Sequence, residues 1–134
     1  MNTYYVSDKS FANSDIYKEF LRKNPKVGSL RVHAYAAREA VPIEGLKVEV
    51  STIVDNNRVV FFEGYTDESG NTIWIVLPAP SINLDNLVAP EKMTYSIRAI
   101  YPQADFDETY KVNIYEKIFV VQDINIRIDN IGGL

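Results

Sequence analysis

His33 is the residue best suited to acid–base chemistry in this sequence, because histidine is the side chain whose charge changes near neutral pH. It is the only histidine among 134 residues, and there is no cysteine. A catalytic histidine needs a nucleophile and an orienting carboxylate within hydrogen-bond reach. The residues beside His33 supply neither, so we expect an exposed structural role. The composition also excludes disulfide frameworks, thiolate zinc sites, cysteine nucleophiles and multi-histidine metal sites.

Three carboxylates stand close together in a segment, residues 102–109, that we predict to be an acidic loop. They are Asp105, Asp107 and Glu108. Calcium takes about six to eight oxygen ligands from a loop that wraps it. These residues supply part of such a set without the spacing of an EF-hand loop, so we interpret them as a solvated loop and as the calcium candidate. Paired carboxylates also serve glycosidases, but short loops leave little room for a cleft. We predict no metal site otherwise, and no cofactor.

Aromatic side chains are the third candidate for function, because amphipathic rings suit carbohydrate and protein interfaces. Trp74 alternates with Ile73 and Ile75, which we predict to face the core, so Trp74 should lie on the outer face of its sheet. Either an N-terminal helix covers it through Ile16 and Phe20, which we favour, or it is a binding platform. The candidate ligand-binding residues are Trp74, Tyr35, Tyr101 and Tyr115.

Length and charge limit the classes of protein and the partners that are possible. A chain of 134 residues and 15.3 kDa suits one domain and is long enough to fold without disulfides or metals. The formal net charge is −4, with 14 basic residues scattered among 18 acidic ones. Nonspecific nucleic-acid binding depends on clustered Lys and Arg. We therefore expect no nucleic-acid partner.

We find no targeting signal in the sequence. Residues 1–9 are polar and aromatic, without the basic start and apolar run of a secretory signal peptide. No stretch approaches the roughly 20 apolar residues of a membrane span. The expectation is a chain that is cytoplasmic as synthesised and does not insert into membranes.

Residues 1–27 are predicted to form an N-terminal arm with a short helix over residues 14–23. Ser14 can cap the start of this helix, and Asn24-Pro25 ends it because the residue before a proline avoids helical geometry. The apolar residues between recur with helical spacing. A helix this short must pack against something.

From Gly28 onward the hydrophobic period changes to two, which indicates strands with one buried face. The strands are predicted over residues 30–36, 46–51, 58–65, 72–77, 95–101, 110–115 and 118–128. We assign structural turn roles to Pro42, Gly45, Asp67, Gly70, Pro78 and Pro80. Seven short strands predict an all-β fold, a seven-stranded antiparallel two-sheet Greek-key sandwich over residues 28–129, with a short N-terminal helix and a tail at 130–134.

Several stretches carry a resemblance to a known family. A strand leads to a proline turn, a second strand follows, and a Thr-Asp-x-x-Gly turn joins later strands; these stretches are residues 28–32, 41–50 and 64–70. Over residues 28–128 the chain resembles carboxypeptidase regulatory-like domains, which have a transthyretin-like (prealbumin-like) sandwich. Leu77-Pro78-Ala79-Pro80 and the segment from Ile118 to Ile128 further resemble small stand-alone proteins of spore-forming Gram-positive bacteria.

Two neighbouring activities of this fold class are not implied. Its enzyme relative, hydroxyisourate hydrolase, relies on several histidines, an arginine and a C-terminal Tyr-Arg-Gly-Ser motif. This sequence has one histidine, His33, and residues 131–134 are Ile-Gly-Gly-Leu. Isopeptide-forming surface domains pair a lysine with an asparagine beside a buried acid. Lys47 and Asn125 are the conceivable pair, but both alternate with core residues and should face water.

These observations predict a non-enzymatic binding or assembly module. The resemblance implies a setting in spore or cell-envelope biology, with a polysaccharide such as peptidoglycan, or a peptidoglycan-processing protein, as partner. One alternative is a protein–protein or self-assembly module that pairs through open edge strands and forms a homo-oligomer. The alternative from another class is a small hydrolase, which the single histidine and the lack of cysteine disfavour.

Overall fold

Nine strands and two α-helices make up the part of the chain that the computed structural model describes, residues 1–37, 40–85 and 88–127. In chain order they are β1 (Thr3–Tyr5), α1 (Lys9–Ala12), α2 (Asp15–Lys23), β2 (Lys26–Ala36), β3 (Val41–Pro42), β4 (Lys47–Val54), β5 (Asn57–Tyr65), β6 (Ile75–Ala79), β7 (Met93–Tyr101), β8 (Phe106–Ile114) and β9 (Phe119–Asn125), with a 3₁₀ turn at Pro102–Ala104.

The strands form two mixed sheets. Sheet 1 has the order β1-β5-β4-β7-β8, in which β1 runs parallel to β5 and the other neighbours are antiparallel. Sheet 2 is built on β2, which pairs antiparallel with β3 and β6 and parallel with β9. The expected β-rich sandwich is therefore confirmed, whereas seven strands and a wholly antiparallel arrangement are wrong.

The additional strands β1 and β3 account for the difference in strand count, and the parallel strands β1 and β9 account for the difference in direction. The start of the N-terminal arm adds the edge strand β1 to sheet 1, and a three-residue strand has no periodicity to reveal it. After β8 the chain passes from sheet 1 to sheet 2, so that β9 enters alongside β2 in the same direction. β9 ends at Asn125, and the predicted tail at 130–134 lies outside the described residues.

The main core lies between the sheets and consists of inward-facing residues from both. Its largest fully buried side chains are Tyr95, Leu30, Leu46, Leu77, Ile97, Ile114, Ile124 and Ile126. Alternate residues of β2 from Gly28 to Ala36 are buried, as the period of two predicts. This alternation leaves the other set of β2 side chains on the outer face of sheet 2.

Helix α2 forms where the sequence predicts it and packs against sheet 1. Ser14 accepts a hydrogen bond from the Tyr17 backbone amide and caps the helix. The buried faces of both helices form a second cluster with two valines of β4 and β5; its members are Phe11, Tyr17, Phe20, Val54 and Val59. Phe61 joins the two clusters, since its ring meets Phe20 on one side and Tyr95 edge-on at 5.3 Å on the other.

Two of the prolines predicted to mark turns lie in strands instead. Pro42 pairs with Tyr35 in β3, and Pro78 pairs with Val27 in β6. Both strands lie at the edges of sheet 2, where a residue without an N–H is tolerated. Pro78 is also buried, and its carbonyl accepts a hydrogen bond from the Tyr95 hydroxyl.

Candidate functional site

The outer face of sheet 2 presents side chains in rows, because outward residues of paired strands lie side by side. β2 is the middle strand of each row. From one end the rows are Phe119–Ser29–Val76, Val121–Arg31–Trp74, Asp123–His33–Asn71 and Asn125–Tyr35–Pro42. We call this surface the aromatic face. It changes from apolar in the first two rows to polar in the last two.

Trp74 lies in the second row and is held by two neighbours. The Arg31 guanidinium carbon lies 4.5 Å from the centroid of the indole ring, and the Phe119 ring meets the indole edge-on at 5.2 Å. Arg31 is itself fixed, since its Nε donates to the Thr72 carbonyl at 3.1 Å. A cation on an indole face is a favourable electrostatic contact. The arrangement thus orients a positive charge beside two aromatic rings.

The N-terminal helix does not cover Trp74, so that expectation is wrong. The apolar side chains of α2 pack against Val54, Val59 and Phe61 of sheet 1, while Trp74 belongs to the outer face of sheet 2. Its side chain is 36% exposed, and Phe119 beside it is 67% exposed. Ile73, predicted to be in the core, is also exposed because β6 begins only at Ile75.

Apolar side chains next to Trp74 add to this exposed surface. Val76 and Val121 are 61% and 51% exposed. They flank β2 on its two sides, opposite Ser29 and Arg31. A contiguous exposed apolar patch rimmed by polar residues is typical of a ligand- or partner-binding surface.

His33 has a hydrogen-bond partner that the sequence does not reveal. Its Nδ1 lies 2.8 Å from Oδ1 of Asn71, a residue 38 positions away in the chain. An amide oxygen only accepts hydrogen bonds, so Nδ1 is the donor in this contact. The Tyr35 ring lies 5.6 Å away, and Asp123 is the β9 neighbour of His33. The half-buried imidazole is therefore oriented, not free.

The turn that follows β5 places Asn71 beside His33. The Asp67 carboxylate accepts hydrogen bonds from the Ser69 and Asn71 amides at 2.9 and 3.0 Å. Gly70 has a φ of 80°, and a Cβ there would lie 2.3 Å from the Ala34 carbonyl oxygen. The backbone of β2 approaches so closely that the Ala34 amide donates to the Gly70 carbonyl. The predicted turn roles of Asp67 and Gly70 thus have a direct geometric basis.

Gly45 is the other predicted turn glycine. It has a φ of 85° and donates its amide to the Thr66 carbonyl. Pro80 follows the last residue of β6, outside the strand.

The three candidate tyrosines do not form one platform with Trp74. Tyr35 is on the aromatic face, two rows from Trp74. Tyr101 is at the end of β7 in sheet 1 and packs partly against the main core. Tyr115 follows β8, where its carbonyl oxygen lies close to Gly28. Trp74 and Tyr35 therefore share one face of sheet 2 without touching, and Tyr101 and Tyr115 lie elsewhere.

The structure does not bring the three calcium candidates together. β8 begins at Phe106, so the predicted acidic loop is short and Asp107 and Glu108 are consecutive strand residues that point to opposite faces. Asp107 binds Arg98 through two hydrogen bonds of 3.0 and 2.7 Å, and this guanidinium lowers the pKa of the Asp107 carboxyl. Within residues 1–37, 40–85 and 88–127, no group of three or more His, Cys, Asp or Glu residues could hold a metal ion.

The conceivable isopeptide pair is also separated. Lys47 lies on the outer side of sheet 1 near Glu63, with 3.9 Å between Nζ and Oε2, and Asn125 is exposed on the aromatic face of sheet 2.

Sequence reasoning missed Arg31, Phe119 and Asn71. Phe119 has the opposite parity to the buried Ile124, and this signal predicts that its ring faces outward. Arg31 could likewise be placed outward, but its contact with Trp74 depends on how β6 joins β2. No local pattern links Asn71 to His33, because the bridge between them depends on the packing of the turn.

Among the described residues, no helix is long and apolar enough to cross a lipid bilayer.

Association between chains through edge strands stays a prediction. β9 pairs with β2 on one side, and no strand among the described residues pairs with its other side.

Comparison with known proteins gives matches only at the level of structure. No protein family and no curated protein sequence matches the chain. The 5-hydroxyisourate hydrolase of Klebsiella pneumoniae is similar in structure at 16% identity, covering 74% of this chain and 90% of that one, with a TM-score of 0.47. The TIE protein of Bacillus anthracis matches at 18% identity over 76% of this chain and 16% of that one, with a TM-score of 0.47. An (S)-allantoin synthase matches at 11% identity over 78% of this chain and 43% of that one, also at 0.47.

These matches concern the fold alone. A hydroxyisourate hydrolase among them is consistent with the transthyretin-like sandwich expected from the sequence. The finer resemblance, to small proteins of spore-forming bacteria, stays a prediction. The chain spans 16% and 43% of the length of the other two proteins.

The expectation of a non-enzymatic module is corrected by the same comparison. It rested on the single histidine, the lack of cysteine and the absence of the hydrolase motif, yet two of the proteins similar in structure are named as enzymes, a hydrolase and a synthase. The fold therefore gives no ground for excluding catalysis. It assigns no reaction to this chain either, because function depends on the site and not on the fold.

Proposed function

We propose that the chain binds a carboxylate-bearing glycan through the aromatic face, with peptidoglycan as the glycan to test. The observation that carries this proposal is the Arg31 guanidinium fixed on the Trp74 ring beside the exposed ring of Phe119. Aromatic rings offer flat apolar area for the C–H faces of sugars. The rows next to them supply side chains that can hydrogen-bond to hydroxyl and amide groups.

Arg31 would recognise the carboxylate. A guanidinium has five N–H donors in a planar fork that fits a carboxylate with two parallel hydrogen bonds. One donor, Nε, is used by the Thr72 carbonyl. None of the ion pairs among the described residues includes Arg31. The remaining donors are thus available to a ligand that lies across Phe119 and Trp74.

Co-sedimentation with insoluble peptidoglycan at low and moderate salt tests the proposal. We expect the wild type to sediment with the glycan, and Phe119→Ala and Arg31→Gln each to reduce the bound fraction. The loss from Arg31→Gln should shrink as salt rises, because salt screens the ionic contact, whereas the loss from Phe119→Ala should persist. Tyr65→Ala is the matched control, since Tyr65 is a 64% exposed aromatic residue of β5 in sheet 1.

The proposal fails if the wild type stays in the supernatant at both salt concentrations. It also fails if Phe119→Ala and Arg31→Gln bind as strongly as Tyr65→Ala. Trp74 is less suitable as a first variant, because its partly buried ring also supports Phe119.

A second candidate, hydrolysis of a bound ligand, is favoured by the orientation of His33. The contact with Asn71 fixes the proton on Nδ1 and leaves Nε2 as the nitrogen that could take a proton from an attacking water. The substrate would lie on the same face, so binding and turnover can be separated. We expect His33→Gln to retain sedimentation with the glycan and to abolish release of soluble fragments. A wild type that binds and releases no fragments would rule out this candidate and leave the binding proposal standing.

A further inference from the structure

A shallow groove of about 450 Å³ crosses the outer face of sheet 1, on the side of the sandwich opposite the aromatic face. Its walls come from β4, β5, β7 and β8. The groove is lined by three basic side chains and by several hydroxyl groups; those used below are Arg58, Arg98, Lys111, Ser51, Ser96 and Thr109. None of the described residues that line it is acidic.

Three cations line this groove, and two of them are paired with carboxylates beside it. The formal net charge of the protein is −4, yet three of its 14 basic residues meet in this one groove. Arg58 forms an ion pair with Glu49, and Arg98 forms one with Asp107. Each pair holds its guanidinium in a fixed position at the edge of the groove. Fixed donors lose little conformational freedom when they bind a ligand.

Lys111 is the cation available to a ligand. Its Nζ donates to the Ser96 hydroxyl at 2.7 Å, and no carboxylate of the described residues forms an ion pair with it. An ammonium group has three N–H donors, so donors remain after this contact. A lysine that has a hydroxyl neighbour and no acidic partner is suited to an oxyanion.

The hydroxyl groups lie next to this amine. Ser51 pairs with Ser96 across β4 and β7, and both side chains line the groove. Ser51 is only 8% exposed, although its side chain makes none of the hydrogen bonds found among the described residues. Thr109 is the outward residue of β8 opposite Arg98. These hydroxyls can both donate to an oxyanion and accept from a polyol.

We propose that this groove binds an oxyanion carried by a hydroxyl-rich molecule, such as a phosphorylated or carboxylated sugar. Lys111 and the guanidinium edges would hold the oxyanion, while Ser51 and Thr109 would hydrogen-bond to neighbouring hydroxyls. The ligand chemistry is common to sugar phosphates and sugar acids. This site does not depend on the aromatic face, so the two proposals can fail separately.

Titration of isotope-labelled protein, followed by amide chemical shifts, tests this site with glucose 6-phosphate, glucuronate and glucose as probes. We expect saturable shifts at Ser51, Ser96, Thr109 and Lys111 with at least one of the two anionic sugars, and none with glucose. The tighter of the two anions identifies the oxyanion. Equal shifts with glucose, or no saturable shift in the groove with any probe, would overturn the proposal.

Variants make the test specific to the groove. Lys111→Met should weaken binding by roughly tenfold or more, since a hydrogen bond to a charged group contributes about 1.5–3 kcal/mol. Thr109→Val keeps the strand geometry and should weaken binding by a smaller factor. Lys47→Met is the matched control, because Lys47 is an outward lysine of β4 that does not line the groove. Equal affinity of Lys111→Met and Lys47→Met would overturn the proposal.

Discussion

At the scale of the residue, one backbone position controls whether Asn71 can reach His33. Gly70 combines a φ of 80° with a closest approach to the Ala34 carbonyl that leaves no space for a methyl group. Gly70 also donates its amide to the Asp67 carbonyl and accepts from the Ala34 amide, next to the hydrogen bond from the Asn71 amide to the Asp67 carboxylate. A change at Gly70 therefore alters both the stability of the sandwich and the orientation of the imidazole.

Gly70→Ala should lower the free energy of unfolding by about 2 kcal/mol or more, because positive φ costs roughly 1–3 kcal/mol for other residues and the new methyl group meets backbone. Urea denaturation measures the change. Gly45→Ala is the matched control: its φ is 85°, but nothing lies within 4 Å of an added Cβ. Gly70→Ala that destabilises no more than Gly45→Ala would contradict the role of the close approach.

Tyr95→Phe should destabilise the protein by about 1–3 kcal/mol, because it leaves the buried Pro78 carbonyl without its donor. Burial also raises the pKa of the Tyr95 hydroxyl above its ordinary value of 10.0. The unfolded state then releases this proton first, so wild-type stability should fall as the pH rises above about 10. Denaturation at several alkaline pH values should show a shallower fall for Tyr95→Phe. Parallel curves for the two proteins would contradict this account.

The residue types at positions 67–70 predict a turn. They do not predict that this turn places Asn71 beside His33. Asp67 and Gly70 have the residue types that a tight turn requires, and both have the expected roles. Asn71 could not be matched to His33, because the contact spans 38 positions and depends on sheet 2 being assembled. Arg31 and Trp74 are a second pair of this kind.

At the scale of the element, spacing and caps predicted α2 almost to the residue, since Ser14 and Asn24-Pro25 bound it as expected. The surface that α2 covers was not predictable, because helical spacing defines a buried face without naming its partner. Its partner is sheet 1, which leaves Trp74 uncovered. In β9, likewise, the sequence predicted which alternate side chains face the core. It did not predict that the strand runs parallel to β2.

Phe20→Ala should destabilise the protein by about 3–5 kcal/mol, the usual cost of removing a buried phenylalanine ring. Phe20 is 6% exposed and contacts Tyr17 and Phe61. The neighbouring Leu21 is 36% exposed, so Leu21→Ala should cost much less. Thermal unfolding measures both. Equal losses in the two variants would show that α2 does not contribute to the core through this face.

At the scale of the whole molecule, two opposite surfaces differ in chemistry. The aromatic face of sheet 2 is apolar with one oriented cation, and the groove of sheet 1 is lined by basic residues and hydroxyls. The sequence resemblance predicted the fold, but the fold does not predict the chemistry of either surface. The expectation of no catalysis rested on the single histidine and the lack of cysteine, and it is corrected by the two proteins of similar structure that are named as enzymes.

Within residues 1–37, 40–85 and 88–127, one side of β9 has no pairing strand, so we expect concentration-dependent association of the protein. Sedimentation velocity should show a mean mass that rises above the monomer value of 15.3 kDa as the concentration increases. Val121→Lys, which places a charge on this edge strand, should restore the monomer, whereas Ile53→Lys on the internal strand β4 should not. A wild type that stays monomeric at every concentration would contradict this prediction.

The parallel pairing of β2 with β9 also has a consequence for how the chain reaches its native state. Ser29 pairs with Phe119, and the two are ninety positions apart, so this contact closes a very long loop. Folds dominated by such distant contacts fold slowly. During translation β2 leaves the ribosome early and one of its edges has no β9 to pair with until synthesis has passed residue 125. We expect sheet 1, whose strands β4 and β5 are joined by a two-residue turn, to form first, and sheet 2 to close last.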